Sequence, residues 1–271
     1  MKLSENVQNP GSALGEAIGT QMEKALNHYL NDWVDNFACR LITKGKINQK
    51  TQKETKLLLY DDHGTAYNID AVVTNEATQP LILIEYKYIR YKKHNRDKGS
   101  WLCTAHNAIR RRYGSVRSSI AILAGSWSRT SVAMMKSHDI NIFIIPFDTI
   151  TVLLHAHGIK FDWGEKDRDT AIESWDKYSS LSDAEKQAIA EAMIAGIKPD
   201  LEESIERILD DSAEREVSSV VIEVHTNLGE VRRFEFPSVD AALDFLEDFS
   251  VEELLDTSKS LSLFESPEID E

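Results

Sequence analysis

The sequence predicts an α/β protein: a mixed β-sheet flanked by helices, followed by an acidic helical stretch and a small β-hairpin-plus-helix unit. Three observations carry this reading. Apolar residues from Leu14 to Leu41 (Ile18, Met22, Leu26, Leu30, Trp33, Phe37) recur three or four apart, the period of an amphipathic helix. The run Leu81–Tyr88 is apolar at almost every early position, as in a central strand covered on both faces. Short turn-linked strands come first and helix-linked strands later, an order that mixes antiparallel with parallel pairing.

Taken in order, the helix from Leu14 is followed by a strand at Lys56–Tyr60. Asp61-Asp62-His63-Gly64 then makes a turn, Gly64 being free to take positive φ. Ala66–Thr74 reads as one returning strand, Thr78-Gln79-Pro80 as a break, and Leu81–Tyr88 as the third strand. A basic loop, Arg90–Gly99, leads to a helix over Trp101–Arg112. Strand Ser119–Ala124, helix Thr130–His138 and strand Asn141–Pro146 complete the pattern. Further on, Ser182-Asp183-Ala184-Glu185 is a capping box that opens an acidic helical stretch to Asp211, broken near Gly196 and Pro199. Val220–His225 and Val231–Phe236 form a hairpin around Asn227-Leu228-Gly229, and Ser238 caps a helix through Phe249.

Charge divides the chain. The net charge is −14, yet residues 1–160 hold 21 Lys and Arg against 14 Asp and Glu, and residues 161–271 hold 10 against 31. The first part would attract phosphate and the second repel it. The expected organisation is a catalytic domain at 1–160, an acidic helical connector at 161–211, a hairpin-and-helix module at 212–257 and an acidic tail at 258–271. The acidic C-terminal region is either a well-solvated surface or the contact for a protein partner. No apolar run approaches the length of a membrane span, and the polar N-terminus does not read as a signal peptide. Cys39 and Cys103 are far apart in sequence, which fits buried thiols in a reducing cytoplasm. The expected location is therefore cytoplasmic, with no membrane partner.

The chemistry concentrates in Asn68-Ile69-Asp70-Ala71-Val72-Val73 and Glu85-Tyr86-Lys87, with fourteen residues between Asp70 and Glu85. Alternation along a strand points Glu85 and Lys87 one way and Tyr86 the other. Asp70, on the neighbouring antiparallel strand, reaches the same surface. Two carboxylates and an ammonium at one sheet edge suit phosphodiester hydrolysis. Carboxylate oxygens hold Mg²⁺, and a lysine orients or deprotonates the attacking water or stabilises transition-state charge. A solvated strand end or a structural salt bridge would use the same three residues.

These residues resemble the motif of the PD-(D/E)xK nuclease superfamily, whose restriction-endonuclease-like fold has an αβββαβ core. The resemblance spans residues 14–160. It implies a metal-dependent endonuclease acting on DNA, with Mg²⁺ as cofactor and Mn²⁺ as substitute. By the same resemblance, Asp70 and Glu85 with the main-chain carbonyl of Tyr86 are metal ligands, and Lys87 completes the catalytic set. Gly19-Thr20-Gln21-Met22-Glu23 is similar to the glycine and acidic residue that many members place on the first helix, making Glu23 a fourth catalytic residue, with Glu16 the weaker candidate. Ile69 stands where the named motif has Pro. Members often act as two-fold dimers, so a homodimer is a further expectation. The other reading is a catalytically inactive nuclease-fold protein that binds DNA or another protein.

Lys92, Lys93 and Arg96 lie just past the Glu-x-Lys strand, and His106 and Arg110 sit one turn apart on the following helix. Together they are the expected nucleic-acid contacts. Other chemistries lack their residues: there is no GxxxxGK[ST] loop, Ser126 and Ser128 have no His/Asp set in a known order, and His155 with His157 has no third ligand. Neutralising Lys92, Lys93 and Arg96 together should weaken DNA binding for all sequences alike and flatten its salt dependence. A change in base preference at an unaltered salt slope would show base readout instead.

Overall fold

The structure is a computed structural model that describes residues 7–47, 53–90, 95–164 and 167–250. It divides into two compact units, Met1–Asp210 and Asp211–Glu271.

In the first unit, α1 (Pro10–Val34) begins with Pro10 in the first turn, where no intrahelical partner is lost, and with the Asn9 side chain accepting from the Ser12 N–H. Its buried stripe is Leu14, Ile18, Met22, Leu26, Leu30 and Val34. The expected helix runs on to Leu41, but the observed one stops at Val34. Ala38 takes a left-handed φ of 53°, and the chain turns into strand β1 (Arg40–Ile42). Phe37 and Leu41 still pack on the core, so the helical spacing persists beyond the helix.

The expected strand at 56–60 is also placed differently. β2 (Leu58–Tyr60) and β3 (Ala66–Asn68) form a two-stranded sheet of their own around the Asp61–Gly64 turn, where Asp61 Oδ1 accepts from the N–H groups of His63 and Thr65. Ala66–Thr74 is therefore not one strand. It breaks at Ile69 and Asp70, and only β4 (Ala71–Thr74) joins the main sheet.

The main sheet is mixed and has five strands, ordered β1, β4, β5 (Pro80–Ile89), β6 (Ser118–Gly125) and β7 (Ile140–Pro146). The first three pair antiparallel. Crossover helices α2 (Asn95–Arg112) and α3 (Arg129–Lys136) make β5, β6 and β7 parallel. All eight residues of β6 are buried, as expected of a strand covered on both faces. Ile82, Ile84 and Tyr86 face the α1 side, whereas Leu83 packs with Ile109 of α2 on the other.

After β7 come α4 (Phe147–Ala156), α5 (Arg168–Ser180), α6 (Asp183–Ala195) and α7 (Lys198–Leu209). The capping box at Ser182 is formed, and Pro199 sits in the first turn of α7. Ile150, Ala171, Ile189, Met193, Leu201 and Ile205 share one core with α1 and the sheet. Residues 161–209 are thus part of the first unit, and the boundary expected near 160 does not coincide with this division. The helix α5 is absent from the sequence expectation, because its Ser, Thr and Asp content weakens the apolar stripe.

The second unit holds β8 (Val220–His225) antiparallel to β9 (Val231–Phe236) and α8 (Val239–Asp248), with Ser238 capping through the Ala241 N–H. Phe234, Phe236, Phe245 and Phe249 form an aromatic cluster with centroids 4.6–6.2 Å apart. No helix among the described residues is long and apolar enough to cross a membrane.

Gly125 and Gly158 separate two costs of a side chain. Both have positive φ, 96° and 71°, but a Cβ at Gly158 meets nothing within 4 Å, whereas one at Gly125 would lie 2.0 Å from the Ile89 carbonyl oxygen. Gly158→Ala should cost about 1 kcal/mol in denaturant unfolding, and Gly125→Ala more than about 3 kcal/mol, because β5 and β6 must separate to admit it.

Candidate metal and phosphate site

Ala71 pairs with Ile84, which brings Asp70, at the bend before β4, opposite Glu85 on β5. Glu85 and Lys87 lie on the α2 side of β5, while Tyr86 points to α1 and its hydroxyl donates to Asn27 Oδ1 at 2.9 Å. Asp70 Oδ2 accepts from the Tyr86 N–H at 2.9 Å and from Lys87 Nζ at 2.8 Å. Lys87 Nζ also pairs with Glu85 Oε2. The break between β3 and β4 makes this geometry, since the bend turns Asp70 toward the neighbouring main chain.

Electrostatics follow from burial. Glu85 is fully buried, and loss of water pushes its carboxyl up to about 8; the Lys87 charge opposes this and Asp70 adds to it. For Asp70, burial alone would act upward, but hydrogen bonding to Glu85 and the Lys87 ammonium outweigh it and hold the group below the usual carboxylate range. Burial likewise acts downward on Lys87, and the two carboxylates reverse it, keeping the ammonium protonated. Glu23, on α1, is raised by partial burial and by the charge of Asp70, with Lys87 acting the other way. Glu23 is a helix carboxylate whose charge couples to Asp70 and Lys87.

Divalent-cation fit rests on one atom. Glu85 Oε1 is buried and has no hydrogen-bond partner, while Lys87 Nζ meets Glu85 Oε2 and Asp70 Oδ2, so the pair of carboxylates has unused hard-oxygen capacity beside the lysine. Among the described residues no three His, Cys, Asp or Glu side chains are gathered as a metal cluster. The available set is two carboxylates and the Tyr86 carbonyl, which fits Mg²⁺ because that ion keeps several waters.

The expected nucleic-acid contacts are distributed differently. Lys92 and Lys93 lie outside the described residues. Arg96 is exposed in the first turn of α2. Arg110 is fourteen residues further along α2, about 21 Å away at 1.5 Å per residue, where it lines a separate cavity with Arg117, Lys136 and Arg207. His106 is a correction. Its residue is 1% exposed, so it offers no surface contact to a phosphate. It continues the inner stripe of Leu102, Cys103 and Ile109, and burial together with the Lys87 charge pushes its imidazole down to about 3.

The sequence reading omits Trp101 and the cleft. The indole of Trp101 lies over Lys87, with Nζ 5.8 Å from the ring centroid. A cleft of about 790 Å³ opens along α1 and the end of β5, lined by Gly15, Gly19, Glu23, Tyr86, Tyr88 and Lys98. The fit on α1 is close: a Cβ at Gly15 would come within 3.3 Å of the Tyr88 ring, so the ring would have to give by a few tenths of an ångström. The Gly19-to-Glu23 spacing was legible in sequence, but its packing on Tyr88 was not.

No family model and no curated protein matches the chain. Among solved structures it is similar to the crystal structure of a protein of unknown function, AF1548, at 11% identity over 69% of this chain and 98% of that one, with a TM-score of 0.32. That likeness is too slight to carry an argument about fold or activity.

The buried carboxyl has a measurable consequence. Glu85 ionises in the unfolded chain from its ordinary value of 4.5, but in the folded chain only near 8. The folded state therefore holds the extra proton in this window, and the stability owed to this group falls as pH rises from 4.5 and levels off above 8. Glu85→Gln should raise the melting temperature relative to wild type more at pH 9 than at pH 5. An equal difference at both pH values would remove the assignment.

Proposed function

We propose that this protein is a metal-dependent nuclease of the PD-(D/E)xK type, hydrolysing phosphodiester bonds in DNA. The observation that carries the reading is the convergence of Asp70, Glu85 and Lys87 at one point, with an unused carboxylate oxygen on Glu85. The order of elements around the main sheet also supports it: α1, antiparallel β1, β4 and β5, then α2 and parallel β6. That order is compatible with an αβββαβ core whose first strand is β1 in place of the expected 56–60 segment, which pairs with β3 outside the main sheet.

Asp70, Glu85 and the Tyr86 carbonyl would hold Mg²⁺, with Mn²⁺ as substitute. The ion supplies charge neutralisation at the phosphate and a more acidic water. The rest belongs to the chain's own side chains. Asp70 accepts from the Tyr86 N–H and so holds the Glu85–Tyr86 peptide in place beside the site. Lys87, kept protonated by its neighbours, donates from Nζ to a phosphate oxygen and stabilises negative charge as it develops. Glu23, at the border of two clefts, holds water on the α1 side. The exposed Leu228, Leu243 and Leu246 of the second unit suit a contact with another protein.

Incubation with plasmid and single-stranded DNA in Mg²⁺, Mn²⁺ or EDTA tests this directly. Wild type should cleave only with divalent metal. Asp70→Ala, Glu85→Ala and Lys87→Ala should each lose about 100-fold or more of the rate. Calorimetric metal binding should vanish in the first two variants and largely persist in the third. Glu23→Gln should cut activity about 10-fold and raise the Mg²⁺ requirement, while Glu16→Gln should not. Wild-type turnover in any of the first three variants would overturn the site.

A further inference from the structure

Trp101 is 43% exposed, on the N-terminal half of α2, directly beside Lys87. Indoles are seldom left in water without a partner, because the ring is large and mostly apolar. The other four tryptophans are each less exposed than this one. The helix itself does not need Trp101: the inner stripe runs through Leu102 and Cys103, and a polar residue at 101 would serve as well on the outer face. Its surroundings are cationic. Arg96 and Lys98 stand within the two turns before it, with only Asp97 opposing, and Lys98 Nζ donates to the Tyr88 carbonyl at 3.3 Å.

The site beneath is recessed. Glu85 is fully covered, and the side chains of Lys87 and Asp70 keep only 19% and 22% of their surface in solvent. A phosphate held in the rigid backbone of a duplex approaches such a point less easily than one in a flexible strand. An aromatic face next to cations is the arrangement that stacks an unpaired base while its phosphate is held by charge.

We propose that Trp101 is a stacking platform for an unpaired base, so that DNA reaches Lys87 as a single strand. This rests on the nuclease reading of the Asp70, Glu85 and Lys87 site and specifies its substrate. The base lies on the exposed indole, its phosphate meets Lys87, and Lys98 and Arg96 attract the adjoining backbone. Preference for single strands then arises from stacking, which every base can provide, so little sequence selectivity accompanies it.

The full-length protein in EDTA, where no cleavage occurs, can be titrated with a single-stranded oligonucleotide and with the same sequence as a blunt duplex. Tryptophan fluorescence and anisotropy are followed at one fixed salt concentration. The single strand should quench fluorescence and bind about tenfold tighter than the duplex. Trp101→Ala should abolish most of the quench and weaken single-strand binding about tenfold, leaving duplex binding unchanged. Trp101→Phe should retain most of the affinity, and unchanged melting temperatures would exclude a folding defect. Equal affinity for both forms, or an undiminished quench in Trp101→Ala, would overturn the proposal. The two readings fail separately. Trp101-dependent single-strand binding without metal-dependent cleavage refutes the nuclease alone. Cleavage of duplex that is indifferent to Trp101 refutes the platform alone.

Discussion

A glutamate with no exposed surface on the central strand is the constraint around which the site is organised. Glu85 sits at a position that its neighbours Ile82, Leu83 and Ile84 would lead one to fill with an apolar residue. A buried carboxylate is costly unless its charge is matched; Lys87 on the same face supplies the match, whereas Asp70 on the adjoining segment adds like charge that helps keep Glu85 protonated. The pair of carboxylates in turn keeps the lysine charged, so each of the three groups sets the protonation of the others. Here one oxygen of Glu85 remains without a partner, and it is the atom on which the proposed cation binding rests.

The surrounding fold serves this arrangement at two places. On one side, the break between β3 and β4 frees Asp70 from regular strand pairing and lets its side chain cap the Tyr86 N–H. On the other, Tyr88 lies close against Gly15 and Gly19 of α1, the helix that also brings Glu23 within electrostatic range of Asp70 and Lys87. The helix α2 closes the opposite face with an inner stripe that includes His106, a neutral imidazole with both nitrogens unpartnered in a buried setting. Its low pKa follows from the same lack of water that raises Glu85. The two shifts are opposite in sign because burial disfavours the charged form of an acid and of a base alike.

Much of this was legible because it depends on period. The stripe of α1, the apolar run of β5, the capping box at Ser182 and the C-terminal hairpin all follow from local patterns. Failures fall where a pattern was short or ambiguous. Arg40–Ile42 is three residues long and continues the helical spacing of α1, so only the left-handed Ala38 reveals it. Ala66–Thr74 alternates well enough to pass for one strand, and its break comes from two sheets competing for its halves. His106 and Arg110 share a helical edge, but packing turns one inward and leaves the other partly exposed.

The sequence by itself determined what lies within one element: that Glu85 and Lys87 share a face, that Tyr86 opposes them, and that positive charge gathers in residues 1–160. These follow from backbone stereochemistry and composition, which need no partner. Tertiary structure alone decided which elements meet. It brought Glu23 into electrostatic range of Asp70 and Lys87, put Arg110 in a separate cavity, buried His106 and set Trp101 above the lysine. Those outcomes depend on distances between helices and strands, and such distances come from the packing of the whole core, to which no single segment holds the information.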